Sequence, residues 1–337
     1  MADNHHAQKH SEIRITLSDV GRRVSVRRVL DIVGDRPVFG DTIGVLTSWD
    51  AGVLVVVGRN GESVEVREDR LVAGKPVPPA PLRRVRPPSA GPVELQRIAA
   101  RGWPATETAA LGEWTLRAAG GFTRRANSVQ ALGDPGLPLD AALDAVRDWY
   151  DARGLPAHVE VTAPGSPAGL REELARIASE ETPTLFRTAP LASLARLGTA
   201  DHPVRLARTA SAQWMSCYRR IGGDPSLERS AHAVLHGGPS VWFGAVPSPD
   251  GSAPAAIGRC VVDGDWAGFS AVEVLPGHRR RGLATEMMAA LAARAAEEGA
   301  TGAYLQVEAD NSGAIALYDR LGFTTSHTYH YCRLPRS

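Results

Sequence analysis

Lysine is almost absent from this chain of 337 residues: only Lys9 and Lys75 occur, and arginine carries nearly all the positive charge. The 38 Lys and Arg against 37 Asp and Glu leave a formal net charge of +1, so the chain has no bulk attraction to nucleic acid or to an anionic membrane. Cysteine is scarce too. Cys217, Cys260 and Cys332 are far apart and form no Cys-x-x-Cys pair, which excludes a disulfide framework and a cysteine zinc site. Reduced thiols and a cytoplasmic location are the expectation. No apolar run approaches the ~20 residues of a membrane helix. The segment 1–12 is polar and His-rich, with none of the apolar core of a secretory leader. It reads as a mobile tail, and its His5, His6 and His10 as solvated side chains, so no metal site is expected. Aromatics make up only 6%, yet 43% hydrophobic residues suffice for a sizeable core. At ~150 residues per domain, the length allows about two domains.

What is present falls into segments. From 13 to 74 the pattern is strand-like: Arg23-Val-Ser-Val-Arg27 alternates, Val53 to Val57 is apolar, and Val64-Glu-Val66 alternates again. Asn60-Gly61 supplies a hairpin turn between the last two, because both residues accept positive φ. Short strands without helical period predict a small SH3-like β-barrel, a docking module for peptide, nucleic acid or its own chain. Residues 75–92 are rich in Pro and Arg (Arg83, Arg84, Arg86) and read as a semi-rigid linker. From 93 to 200 the order is helix, two strands, helix, strand, helix; Leu139, Leu143, Val146 and Tyr150 mark one helix face that stops at Gly154. From 201 to 337 strands and helices mix without strict alternation, which makes the class α+β.

The informative stretch is Val272-Glu-Val-Leu-Pro-Gly-His-Arg-Arg-Arg-Gly-Leu-Ala284. A strand enters a basic, glycine-bearing turn that opens directly into a helix with Leu283, Met287 and Leu291 on one face. The N–H groups at a helix start have no intrahelical acceptor and carry partial positive charge, so such a turn binds phosphates. A Walker A loop is excluded because no Gly-Lys-Ser/Thr follows, and a dinucleotide fold because Gly-x-Gly-x-x-Gly is missing.

Arg279-x-x-Gly282-x-Ala284, followed by Tyr304-Leu-Gln-Val-Glu-Ala-Asp-Asn-Ser-Gly-Ala-Ile-Ala-Leu-Tyr-Asp-Arg-Leu-Gly-Phe323, resembles the two-part signature of the GNAT acyltransferase superfamily. The resemblance covers about 204–337. It implies a GNAT fold, acetyl-CoA as co-substrate, no metal, and direct attack of an amine on the thioester. The strand Val272–Val274 would splay and hold the pantetheine through its backbone. The main chain from Arg279 through Arg280, Arg281, Gly282 and Leu283 to Ala284 would take the pyrophosphate, with Thr285 beside it. Asn311 matches the residue that contacts the cofactor arm, and reads equally as a helix N-cap. Tyr318 matches the tyrosine that protonates the departing thiolate; a phenol of pKa ~10 is protonated at pH 7.

The base departs from the pattern. Gln306 stands where protein N-terminal acetyltransferases of the superfamily often carry glutamate, and an amide takes no proton. Glu308, on the same strand face and acting through water, and Glu273 are the two candidates; a neutral incoming amine is the third possibility. The element order of 93–200 also looks like part of a GNAT fold without the phosphate turn, a degenerate second unit. Its polar run Phe122-Thr-Arg-Arg-Ala-Asn-Ser128 reads as a surface hairpin or as an acceptor-pocket wall. The whole chain resembles actinobacterial acetyltransferases labelled N-acetylglutamate-synthase-like. Three functions stay open: acetylation of a small amine or amino acid, glutamate included; acetylation of a protein recruited by the barrel; and a non-catalytic module that senses CoA or binds nucleic acid. The neutral charge disfavours nucleic acid. No membrane partner is expected, and oligomeric state is not legible.

Overall fold

The computed structural model describes residues 13–34, 36–58, 63–77, 88–180, 182–198, 202–221, 225–248 and 253–336. The tail 1–12, the Asn60-Gly61 turn, the linker arginines and the centre of the expected joint at 199–201 lie outside the described residues. The chain divides into two compact units, Met1–Arg84 and Val85–Ser337.

The first unit is one antiparallel sheet of β1 (Arg23–Val33), β2 (Arg36–Asp50), β3 (Val53–Gly58), β4 (Ser63–Arg67) and β5 (Leu71–Pro76), in the order β4-β3-β2-β1-β5. Alternation works as the sequence predicts: Val24, Val26, Leu46, Leu54, Val56 and Val66 point to one small core. The sheet is nevertheless open, so the expected closed barrel is not what the pairing gives. A single 3-10 turn, Glu68–Arg70, carries the chain from β4 to β5 at the opposite edge, and these two strands do not pair among the described residues.

The second unit begins with α1 (Pro92–Gly102), β6 (Glu107–Leu111), β7 (Trp114–Ala118), β8 (Val129–Gln130), α2 (Leu139–Asp151), β9 (His158–Ala163), α3 (Leu170–Ile177), β10 (Ser179–Glu180), β11 (Thr184–Pro190) and α4 (Leu191–Ala195). It continues with β12 (Arg205–Ala207), α5 (Ala212–Cys217), α6 (Pro225–His236), β13 (Ser240–Val246), β14 (Ala256–Asp263), β15 (Trp266–Val274), α7 (Leu283–Glu297), β16 (Gly302–Glu308), α8 (Ser312–Arg320) and β17 (Thr324–Arg333). The mixture is α+β, as the sequence order implies.

One sheet runs through this unit in the order β12-β13-β14-β15-β16-β11-β17-β9-β8-β7-β6, with β10 on β17. The element series repeats. An antiparallel hairpin, then a parallel pair bridged by a helix, occurs as β6-β7-β8-α2-β9 and again as β13-β14-β15-α7-β16. The strands that close the two halves cross over: β11 pairs with β16 and with β17, while β17 pairs with β9. Buried Arg187 of β11 anchors the exchange, donating at 2.6 Å to Asp319 and at 2.5 Å to the Phe323 carbonyl.

Helix α7 forms because Leu283, Met287 and Leu291 recur on one face, all buried against the sheet. The fit is close: a Cβ on Gly244 would stand 2.4 Å from the Met287 sulfur. In the other half, Leu143, Val146 and Tyr150 of α2 bury the same way against Val129, Val159 and Val161.

Candidate active site

Strands β15 and β16 pair in parallel only from Trp266↔Gly302 to Phe269↔Leu305. There β15 bulges: its register on β14 jumps between Ile257 and Arg259, and Ala271 takes φ +52°. Past the bulge the two strands no longer bond to each other, and a cleft of about 320 Å³ opens between them. Val272, Glu273, Gln306, Glu308, Asn311 and Tyr318 all line it. The fold thus brings Glu273, Glu308 and Tyr318 into one space. Val274 does not line the cleft; it pairs with Ala256, and its carbonyl accepts from Arg279 Nε at 3.3 Å.

The turn after β15 is built as an N–H cradle. Arg280 has φ +62° and Gly282, the residue before α7, φ +83°. Nothing lies within 4 Å of a Cβ on Gly282, so glycine supplies the left-handed backbone there and not clearance from the protein itself. The backbone N–H groups of 280–284 find no acceptor among the described residues; Thr285 is the first to bond back, to the Gly282 carbonyl at 2.9 Å. The Arg279, Arg280 and Arg281 side chains are exposed around this cradle, while Leu283 turns its own into the core. Ala284 and Thr285 are half-buried in the first turn of α7.

Tyr318 sits on α8, edge-on to Phe323 at 5.9 Å, and its hydroxyl bonds to no described residue. Desolvation pushes its phenol up, which keeps the proton in place at neutral pH. Asn311 caps α8, accepting from Ala314 N at 3.1 Å, and also lines the cleft; its amide NH₂ remains for a ligand. Burial raises the Glu273 carboxyl above the ordinary range, opposed by Arg219 at the long distance of 3.9 Å. Glu308 is paired with Arg124 at 2.9 Å.

That arginine comes from the first half of the unit. The loop between β7 and β8 brings Thr123, Arg124 and Arg125 to the cleft wall, so the polar run is a pocket wall and not a surface hairpin. Asn127 builds the loop: its Oδ1 accepts from Ala119 N and Gly121 N, and its Nδ2 donates to the Phe122 and Thr123 carbonyls. Thr123 is held at φ +57°, where a β-branched residue is strained, and its Oγ1 accepts from Trp103 Nε1 at 3.0 Å. Trp103, Thr184, Tyr329 and Tyr331 also face the cleft. Tyr218 lines it as well, and neither Trp103 nor Thr184 belongs to a motif that marks it in the sequence. The available signal for Thr184 is the β-branched and aromatic content of Thr184-Leu-Phe-Arg-Thr188 ahead of Pro190.

In the first half a buried polar network sits on the parallel pair β8–β9, which bonds at Val129↔Val159 and Gln130↔Glu160. Arg117 of β7 donates to Ser128 and, at 2.8 Å, to Glu160, which also accepts from Gln130 at 3.1 Å; all are buried. Among the described residues no group of three or more His, Cys, Asp or Glu could hold a metal, and no helix is long and apolar enough to cross a membrane.

Comparison with known proteins fits this geometry. Over 245 residues the chain is 29% identical to the uncharacterized N-acetyltransferase YobR of Bacillus subtilis (strain 168), covering 71% of this chain and 96% of that one. In fold it is similar to a GCN5-related N-acetyltransferase from Kribbella flavida (TM-score 0.55, 20% identity, 74% of this chain and 98% of that one). It is similar also to a tandem GNAT protein from the clavulanic acid biosynthesis pathway (TM-score 0.52, 14% identity, 77% and 93%). Residues 93–332 match the family model described as "Probable histone acetyltransferase Rv0428c C-terminal". The splayed strands, the N–H cradle and this match agree, and the chain belongs to that family of GNAT-type N-acetyltransferases.

Proposed function

We propose that the chain transfers an acetyl group from acetyl-CoA directly to a primary amine held in the cleft, with Tyr318 as acid and Glu273 as base. The observation that carries this reading is the unused row of N–H groups at 280–284, set beside a cleft into which Tyr318, Glu273 and Glu308 converge. These residues fit acetyl-CoA: the cradle offers dipoles and nearby arginine charge to its pyrophosphate, and the unpaired edge of β15 at Val272 offers backbone groups to its amide arm. Acetyl-CoA supplies the activated acetyl group: the amine nitrogen forms the new C–N bond, and the C–S bond breaks with its electron pair on sulfur.

Glu273 takes the proton that the amine gives up, and the Tyr318 O–H is donated to the departing sulfur. The raised Glu273 carboxyl is suited to the task, because a base works best with a pKa nearer the working pH. Glu308 is tied to Arg124 and serves better to fix the cleft wall. The first half, which lacks the basic glycine turn and contributes Thr123, Arg124 and Arg125 to the cleft, is then a degenerate GNAT unit that lends a wall to the active one. The acceptor is a small amine or amino acid, glutamate among the candidates.

A second reading, acetylation of a protein lysine with the N-terminal sheet as recruiting module, is favoured by the words of the matched family description. The test common to both is calorimetric titration of the full chain with acetyl-CoA, followed by release of free thiol with small amines and with lysine peptides. Binding and turnover are expected. If acetyl-CoA does not bind, the acetyltransferase reading fails.

A further inference from the structure

The charges around the acceptor end of the cleft do not cancel. Arg124 is committed to Glu308 at 2.9 Å, and Glu273 has Arg219 as its ion-pair neighbour. Arg125 lines the same cleft with its guanidinium carbon 4.9 Å from the centre of the Trp103 ring, and has no carboxylate within ion-pair distance among the described residues. Arg259 stands 5.1 Å from the centre of that same ring. It is fully buried, and its donors meet neutral acceptors: the Leu235, Gly102 and Gly237 carbonyls at 2.6, 3.0 and 2.7 Å, and Ser270 Oγ at 3.3 Å. Two cations thus share one indole with no described counter-ion. Beside them, in a side recess bounded by Arg125, Arg259 and Ser270, the Oε1 of Gln306 is buried and bonds to no described residue. Exposed Arg220 adds a further positive charge at the cleft.

Arg259 is buried and Arg125 half-buried beside it; cations withdrawn from water without a counter-ion are costly, and the natural compensation is an anion. The phosphates of acetyl-CoA do not provide it, because the N–H cradle for them lies at the start of α7, and the thioester end is uncharged. Resting on the acetyltransferase reading above, we propose that the acceptor is an amine bearing a carboxylate, and that Arg125 receives that carboxylate while the amino group faces Glu273. A guanidinium placed over an indole at 4.9 Å makes no hydrogen bond to the ring, so its N–H groups are left for such a partner. The same charge pattern works against a strongly basic peptide as the acceptor, since its neighbouring cations would meet Arg125 and Arg220.

The experiment uses the full chain and matched acceptors: glutamate, aspartate and alanine, each beside its α-carboxamide and its decarboxylated amine, with a lysine-rich peptide and O-phosphoethanolamine alongside. Free-thiol release gives kcat/KM, and binding of the N-acetyl product of each to CoA-loaded protein is measured by calorimetry. Wild type is expected to favour at least one carboxylate acceptor about tenfold or more over its amide, and Arg125→Gln to remove that preference while acetyl-CoA binds as before. Arg125→Lys, which keeps the charge and loses the fork, should fall between the two.

Equal use of amides and acids, preference for the peptide or for the phosphate, or a preference that survives Arg125→Gln overturns the proposal. So does acetyl-CoA binding accompanied by neither turnover nor binding of any carboxylate compound, an outcome that leaves the acetyltransferase reading intact. Failure to bind acetyl-CoA instead removes that reading, and this proposal with it.

Discussion

Arg124 and Glu308 stand 184 positions apart in the chain, yet an Nη of the first lies 2.9 Å from the carboxylate of the second. The pair joins a loop of the half that lacks the basic glycine turn to strand β16 of the other half. The same arginine lies 5.5 Å from the centre of the Tyr331 ring, on the strand that crosses between halves. The cleft is therefore a joint product of both halves.

Tyr318→Phe removes one oxygen from a side chain whose ring packs on Phe323. Turnover should drop about a hundredfold, within the usual range for a lost general acid, with acetyl-CoA affinity nearly unchanged. Steady-state kinetics beside calorimetric titration separates the two effects; an unaltered kcat would remove Tyr318 from the mechanism.

Gly282→Glu places a side chain at φ +83° and sets a carboxylate against the N–H cradle. In wild type, acetyl-CoA at 100 times its Kd should stabilise the fold by about 2.7 kcal/mol. The variant should lose that ligand-dependent rise in melting temperature while still unfolding cooperatively.

The acid limb of kcat/KM should report Glu273. A base acts when deprotonated, and burial raises this carboxyl, so the rate falls as pH drops through a midpoint above the ~4.3 of an ordinary glutamate. Glu273→Gln should lower the rate and erase that limb, whereas Glu308→Gln should leave it in place. A limb that survives Glu273→Gln belongs to the acceptor amine or to Glu308.

Glu160→Ala strands the Arg117 guanidinium in the interior, where the pair is almost wholly buried. The loss should be about 3–5 kcal/mol, read from the urea unfolding midpoint. Glu160→Ala made together with Arg117→Met should recover part of it, because the uncompensated charge is then gone.

Acid should destabilise the second unit through two buried histidines. Burial lowers His158 and His327 to about 4, whereas unfolded histidine titrates near ~6.5. The unfolded state thus binds protons first, so their contribution is complete above ~6.5 and is lost as pH falls toward about 4. His327 stacks on Phe186 at 4.6 Å, so His327→Phe keeps the stack and should flatten this part of the stability profile.

By itself, the sequence determined what depends on neighbours along the chain. Alternation and helical period gave most of the strands and helices, because burial on one face needs only local spacing. The turn before α7 was legible for the same reason: strand, glycine at a left-handed position and helix start are consecutive, and so are the N–H groups they leave free. Tyr318 and Glu308 were readable as a signature of fixed spacing.

The tertiary structure decided what requires distant segments to meet. That β11 lies between β16 and β17, and that β17 serves the other half, depends on which edges are free once the sheets form; Thr184 to Pro190 alone does not say where it pairs. The open edge of the first sheet was decided the same way, since closure is a relation between β4 and β5 and not a property of either. The wall of the cleft is the clearest case. Trp103, Arg125 and Arg259 look like ordinary residues of three remote segments until packing brings both guanidiniums to one indole, and only then does the site acquire a sign of charge.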